Sequence, residues 1–85
     1  MRIIKTIPND NFTVTIFDMN EKYVVKLEGG SIEQSYKVSK DGFSGVEDLE
    51  EMLDKEFYDQ AIKEHIALHD NLKKSYGRLK KKSSN

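Results

Sequence analysis

The first forty residues alternate between apolar and polar side chains with a period of two, which is typical of half-buried β-strands. The alternating segments are also rich in β-branched and aromatic residues, which favour strands. In the first segment, either Ile3 and Ile7 or Ile4 faces the core, because the alternation fits both registers. The pattern predicts four strands, at residues 2–7, 11–18, 22–28 and 31–39.

Turn-forming residues separate the predicted strands. They occupy Pro8–Asn11, Asp18–Glu21 and Glu28–Ser31. Proline fixes φ, whereas Asn, Asp and Gly tolerate the positive φ that tight turns require. Because these connections are short, we expect each strand to pair with its neighbour along the chain, as an antiparallel meander.

Two-residue turns at Met19–Asn20 and Gly29–Gly30 give registers that agree with each other. Apolar positions then meet on one face of both hairpins, and a slip by one residue would turn them to opposite faces. On the other face, Lys26 opposes Glu33. The predicted core-facing pairs are Phe12–Leu27, Val14–Val25, Ile16–Tyr23, Tyr23–Tyr36, Val25–Gln34 and Leu27–Ile32.

From residue 45 the apolar period changes to that of an α-helix. Ser44–Glu47 fits a capping box, with Ser at the N-cap and Glu three residues later, and no Gly or Pro interrupts residues 46–76. Acidic residues crowd the beginning and basic residues the end, which suits the helix dipole. We expect one helix from residue 45 to Tyr76 or Leu79.

These elements predict an α+β fold, a four-stranded antiparallel β-meander followed by one long C-terminal α-helix (ββββα). A chain of 85 residues has room for one marginal core, so we expect a single domain over residues 1–79 and a disordered basic tail at 80–85. A helix over residues 45–76 is about 48 Å long, whereas a strand here spans about 25 Å. The helix must therefore overhang the sheet, bend or break.

The second half of the predicted helix carries more apolar surface than a single sheet needs. One apolar stripe runs along the whole helix, and a second begins half way, although a surface helix needs a stripe only about 100° wide. A kinked monomer would cover both stripes within the chain; we favour contact with another chain, as a homodimer or with another protein. The expected interface residues are Tyr58, Ile62, His65, Ile66, His69, Leu72 and Tyr76.

The net charge of −1 conceals a segregated distribution. Residues 1–43 hold 6 basic and 6 acidic residues, residues 44–71 hold 2 basic and 9 acidic, and residues 72–85 hold 6 basic and no acidic residues. The helix is therefore acidic at its start and basic at its end. An antiparallel pairing of two copies would set opposite charges against each other, while a uniformly basic nucleic-acid surface is excluded.

The sequence offers few groups for catalysis or metal binding. The chain has no cysteine, which excludes disulfides, thiolate metal sites and cysteine nucleophiles and favours the reducing cytoplasm. His65 and His69 have the i, i+4 spacing of zinc ligands, with Glu64 or Asp70 nearby as possible carboxylates, but the sequence marks no third strong ligand. We expect no enzymatic activity, no metal and no cofactor. The N-terminus lacks a signal-peptide pattern and no apolar run is long enough for a bilayer, so we expect no membrane association.

The order of four strands and a helix is similar to that of single-stranded-DNA-binding coactivator domains and of purine-rich-element-binding repeats. Those proteins dimerise through helix and sheet and bind nucleic acid on their strands, and the resemblance, which is one of topology, implies the same here. The alternative function is therefore a single-stranded nucleic-acid-binding module that uses the outer sheet face and the basic helix end. Its residues are Phe17, Lys22, Lys26, Lys37, Lys73, Lys74 and Arg78.

Overall fold

The computed structural model describes the backbone of residues 2–83 and the side chains of residues 2–80. Four strands pair antiparallel, each with its neighbour along the chain, and the helices pack on one face of this sheet. The predicted α+β class and the ββββα order, with a long C-terminal helix, are confirmed. The elements are β1 Arg2–Ile7, β2 Thr13–Met19, β3 Lys22–Gly29, β4 Ile32–Ser39, α1 Val46–Met52 and α2 Lys55–Ser83.

The core lies between the inner face of the sheet and the two helices. Alternate residues of β2 and β3 supply most of it, as the period of two predicts. Leu49 brings α1 onto the sheet, and Ala61, whose side chain is small, lets α2 approach closely. The buried cluster consists of Phe12, Val14, Ile16, Tyr23, Val25, Leu27, Leu49, Leu53 and Ala61.

Both hairpin registers differ by two residues from the predicted ones. The two-residue turns are Asn20–Glu21 and Gly30–Ser31, one residue later than predicted. Positive φ falls on the first central residue, Asn20 at 60° and Gly30 at 61°, as in type II′ turns. A shift by two keeps every side chain on its predicted face. The observed pairs include Val14–Leu27, Ile16–Val25, Asp18–Tyr23, Tyr23–Val38, Val25–Tyr36 and Leu27–Gln34.

A β-bulge settles the register of β1. The pairing with β2 shifts between Ile3 and Lys5, which leaves Ile4 as an inserted residue. Beyond an inserted residue, each side chain points to the opposite face of the sheet from the one that strict alternation would give. Ile4 and Ile7 consequently both pack against the core, and Ile3 is 62% exposed. Each predicted register was therefore right in part, for Ile4 in one and for Ile7 in the other, because both assumed an unbroken strand.

The predicted single helix is broken at Leu53. This residue has φ −81° and ψ 67°, the values of an inverse γ-turn, and the Asp54 N–H donates to the Met52 carbonyl at 2.9 Å. The Asp54 carboxylate then accepts a hydrogen bond from the Phe57 N–H, also at 2.9 Å, and so caps α2. The break allows Leu53 to stay buried while the chain changes direction.

The helix ends also differ from the prediction. α1 follows Gly45 without a side-chain cap, and the Ser44 N–H donates to the Asp48 carboxylate at 2.7 Å in place of the predicted capping box. α2 continues past its expected end to Ser83. The tail that was expected to be disordered at 80–85 is therefore helical as far as Ser83, and the rest of it lies outside the described residues.

We expect the substitution Asn20→Val to lower the free energy of unfolding by about 1–2 kcal/mol, because a β-branched residue is strained at positive φ. Asn20→Gly relieves that strain and should leave the stability nearly unchanged. Glu21→Val, at the adjacent turn position, is the matched control. Urea denaturation measures all three, and equal effects of Asn20→Val and Glu21→Val would contradict the turn assignment.

Candidate interaction surface

A hydrogen-bonded anchor joins α2 to the hairpin between β3 and β4. His65 donates through Nε2 to the Gly29 carbonyl at 2.7 Å; since a carbonyl only accepts, Nδ1 is left to accept from Gln34 Nε2 at 3.3 Å. Gln34 Nε2 also donates to the Ala61 carbonyl at 2.9 Å, and the Tyr36 hydroxyl donates to Gln34 Oε1 at 2.6 Å. We call these five residues the His65 anchor.

The anchor depends on close approach at Gly29. A Cβ atom there would lie 3.0 Å from His65 Nε2 and 3.3 Å from the Asn11 carbonyl. On the other side, the Phe12 ring meets the imidazole edge-on, with ring centroids 5.0 Å apart. Asn9 Oδ1 accepts hydrogen bonds from the backbone N–H groups of Asn11 and Phe12 and so fixes the loop that carries this ring. A loop and a hairpin therefore converge on the helix at His65.

Beyond the anchor, α2 leaves the sheet. Every side chain from residue 66 to residue 80 is exposed, and we call residues 66–83 the projecting segment. At 1.5 Å per residue this segment is about 27 Å long, in a molecule whose longest dimension is 58 Å. Its large apolar side chains and their exposed fractions are Ile66 57%, Leu68 44%, Leu72 37%, Tyr76 61% and Leu79 62%.

Four of these apolar residues continue the stripe with which α2 meets the sheet. Ala61 and His65 lie against the sheet, and Leu68, Leu72, Tyr76 and Leu79 follow at spacings of three and four residues, which keeps them on the same helix face. The hairpin tip reaches the start of the segment, where Ser31 lines a cavity of about 230 Å³ with His69, Leu72, Lys73 and Tyr76. The stripe then emerges into solvent.

The structure divides the predicted interface residues into two sets. Tyr58 and Ile62 pack against the chain's own core, and His65 belongs to the anchor, so these three stabilise the fold of the monomer. Sequence reasoning missed Leu68 and Leu79, although both lie on the same stripe as the predicted Leu72 and Tyr76. The remaining predicted residues are exposed together on the projecting segment: Ile66, His69, Leu72 and Tyr76.

A groove of about 610 Å³ lies between the edge strand β4 and the flank of α2. Its floor includes the Tyr36 and Phe57 rings, which meet edge-on with centroids 5.4 Å apart. Glu64 on its rim accepts a hydrogen bond from Gln60 Nε2 at 2.9 Å. Among the residues whose side chains are described, three carboxylates and no basic group line this groove, and we call it the acidic groove. The lining residues are Gln34, Tyr36, Asp54, Glu56, Phe57, Gln60, Glu64 and Leu68.

The outer face of the sheet carries the strand residues of the predicted nucleic-acid surface. Phe17 pairs with Val24 across β2 and β3, and Val24 is only 5% exposed although it faces away from the core. Lys26 Nζ lies 5.2 Å from the centroid of the Phe17 ring. Across the ladder Lys26 opposes Ser35 and not, as predicted, Glu33; it reaches Glu33 diagonally at 3.9 Å.

The predicted nucleic-acid residues lie on two separate surfaces. Lys22 and Lys37 share the outer face with Phe17, since they alternate with core-facing neighbours in β3 and β4. Lys73, Lys74 and Arg78 stand on the projecting segment, in the helix layer on the other side of the sheet. The fold therefore does not combine the strand lysines and the helix lysines into one basic surface.

The two histidines differ in their surroundings, because His65 is held within the fold and His69 is exposed. His65 uses both ring nitrogens in the anchor, and His69 lies one turn later beside the hairpin tip. Within the part of the chain that the structure describes, no three His, Cys, Asp or Glu side chains come together as ligands of a metal ion. Across the same residues, no helix is both long and apolar enough to span a membrane.

Two tyrosine hydroxyls differ in their hydrogen bonding. Burial, with the charge of Glu64 adding to it, raises the pKa of Tyr36, and burial together with Glu50 raises the pKa of Tyr58. Both phenols thus keep their proton at neutral pH. Tyr36 donates that proton to Gln34, whereas the buried Tyr58 hydroxyl has no hydrogen-bond partner.

We expect Tyr36→Phe to lower the free energy of unfolding by about 1–3 kcal/mol, because the Gln34 side-chain oxygen would lose its donor at a buried site. Tyr58→Phe removes an unpaired buried hydroxyl and should leave the stability unchanged or raise it. Chemical denaturation of the two variants provides a matched comparison. The reverse order of stabilities would contradict the anchor as described.

Comparisons with protein-family models, with curated proteins and with solved structures found no match to this chain. The resemblance to nucleic-acid-binding domains therefore rests on element order alone.

Proposed function

We propose that the protein is a non-enzymatic interaction module that forms a homodimer through the projecting segment of α2. The observation that supports this is the row of large apolar side chains beyond the His65 anchor, each between 37% and 62% exposed. Contiguous exposed apolar surface on a soluble chain is typical of an interaction site. A reducing cytoplasmic location suits a chain without cysteine.

The helical state of the projecting segment also favours a partner. Most helix stability in proteins comes from packing of an apolar face, and short isolated helices are marginal in water. Gly77, inside α2, costs a further 0.5–1 kcal/mol or so relative to alanine. A second copy carries the same stripe, and two-fold dimers are the commonest oligomers, so self-association provides the missing packing most simply.

Single-stranded nucleic-acid binding is the second candidate, and the observation that favours it is Lys26 above the Phe17 ring. An aromatic ring beside a cation is the basic unit of a base-stacking surface. Against it, Lys26 is also close to Glu33, and the helix lysines lie in a different layer. We therefore rank this function below self-association.

We expect Leu72→Asp to raise the dimer dissociation constant at least about tenfold, because burial of a leucine side chain contributes about 1.5–3 kcal/mol and 1.4 kcal/mol corresponds to a factor of ten. Sedimentation equilibrium measures the change. Leu72 lies beyond the core, so circular dichroism should show a folded protein.

Ile3→Asp is the matched control, since Ile3 is an exposed apolar residue on the sheet and not on the helix. It should leave the dissociation constant unchanged. A dimer disrupted by Ile3→Asp and insensitive to Leu72→Asp would assign the interface to the sheet and overturn the proposal.

The nucleic-acid alternative predicts binding of single-stranded oligonucleotides at low salt that weakens steeply as salt rises, since phosphate contacts release counterions. Fluorescence anisotropy with single- and double-stranded probes measures this. We expect no binding at low salt. Salt-dependent binding that is lost in Phe17→Ala, and retained in Leu72→Asp, would favour the alternative instead.

A further inference from the structure

We infer that the two copies pair their α2 helices antiparallel, so that Glu64, on the rim of one acidic groove, faces Arg78 of the other copy. The two-fold axis then passes beside Asn71. This inference rests on the proposed function, because it specifies how the projecting segment docks on its partner.

Glu64 and Arg78 lie on the same flank of α2. From Glu64 the residues Leu68, Asn71, Ser75 and Arg78 follow at alternating spacings of four and three, and such positions form one line along a helix. This flank borders the stripe that meets the sheet, since Glu64 and Leu68 line the acidic groove between α2 and β4. A partner helix that covers this flank would lie beside that groove.

The positions of the two charges select the direction of pairing. Glu64 and Arg78 are equally far from Asn71 along the chain, so an antiparallel pair centred there brings each Glu64 opposite an Arg78. Two ion pairs then form, related by the two-fold axis. A parallel pair in register would instead set Glu64 against Glu64 and Arg78 against Arg78, and like charges that face each other are destabilising.

The groove complements the segment that would enter it. With the axis beside Asn71, the described end of the partner's α2 reaches about as far as residue 59, so it meets the part of the groove lined by Gln60, Glu64 and Leu68. The projecting segment brings apolar Leu79 and a basic end, in which Arg78 is exposed. The Arg78 Nη2 atom now donates to Ser75 Oγ within the helix, at 2.8 Å, which leaves its other donors for a carboxylate.

β4 is an edge strand, so no further strand stands in the way of a helix that lies along the groove. The carboxylates of the groove would repel a nucleic acid, since both are negatively charged. A second copy of the chain therefore fits this surface better than the ligand of the alternative function.

Charge reversal tests the pairing in solution. Glu64→Arg and Arg78→Glu should each raise the dimer dissociation constant about tenfold at low salt, because each breaks two ion pairs and creates two repulsive ones. The double variant Glu64→Arg/Arg78→Glu exchanges the charges within every chain and should return the constant to within about threefold of the original. Lys63→Glu, on the opposite side of the helix from the stripe, is a control that should have little effect.

Cross-linking tests the direction directly, since the chain has no cysteine of its own. An equimolar mixture of Glu64→Cys and Arg78→Cys proteins should form covalent dimers with a short bis-maleimide, and neither protein should do so alone. Asn71→Cys alone should cross-link efficiently, since it lies at the predicted axis.

The outcomes separate this inference from the proposed function. A protein that stays monomeric in sedimentation overturns both. If Leu72→Asp disrupts the dimer but the charge reversals leave its dissociation constant unchanged, the antiparallel pairing alone is overturned. Efficient cross-linking of Glu64→Cys or Arg78→Cys with itself indicates a parallel pair and also overturns it.

Discussion

The hydrogen bond from His65 to the Gly29 carbonyl marks the point at which the rest of the molecule divides. On its N-terminal side, α2 packs on the sheet through Ala61 and is capped by Asp54. On its C-terminal side, every described side chain is exposed. A Cβ at Gly29, the last residue of β3, would crowd His65 Nε2 at 3.0 Å, and the bond places the Nε2 proton towards the carbonyl while Nδ1 faces the Gln34 amide. The contacts at one hairpin thus mark where the long helix passes from packed to exposed.

The faces of the sheet were predictable because side chains alternate strictly in a strand. Both hairpins kept the predicted faces even though their registers shifted by two, since only an odd shift exchanges the faces. The bulge at Ile4 was not predictable, because the sequence on either side of an inserted residue fits ordinary alternation and does not show which residue is the extra one. The break at Leu53 lacks Gly or Pro, and Asp54, a good N-cap residue, was the one local signal of it.

The candidate surface was predictable in outline, from a second apolar stripe and a segregated charge. Which residues belong to this surface depends on where the sheet ends beneath the helix, and the sequence pattern does not show that position. Tyr58 and Ile62 are covered by the chain's own core, whereas Leu68 and Leu79 are not. The place of Gln34 in the anchor was also beyond the pattern, because a polar residue at an inward position gives no sign of its partners.

Packing of the projecting segment against a second copy of the chain would double the mass of the protein in solution. Sedimentation equilibrium of the unsubstituted protein, over a series of concentrations up to tens of micromolar, tests it most directly. We expect a mass that rises towards that of a dimer as the concentration increases. A mass that remains that of the 9.8 kDa monomer throughout would contradict it.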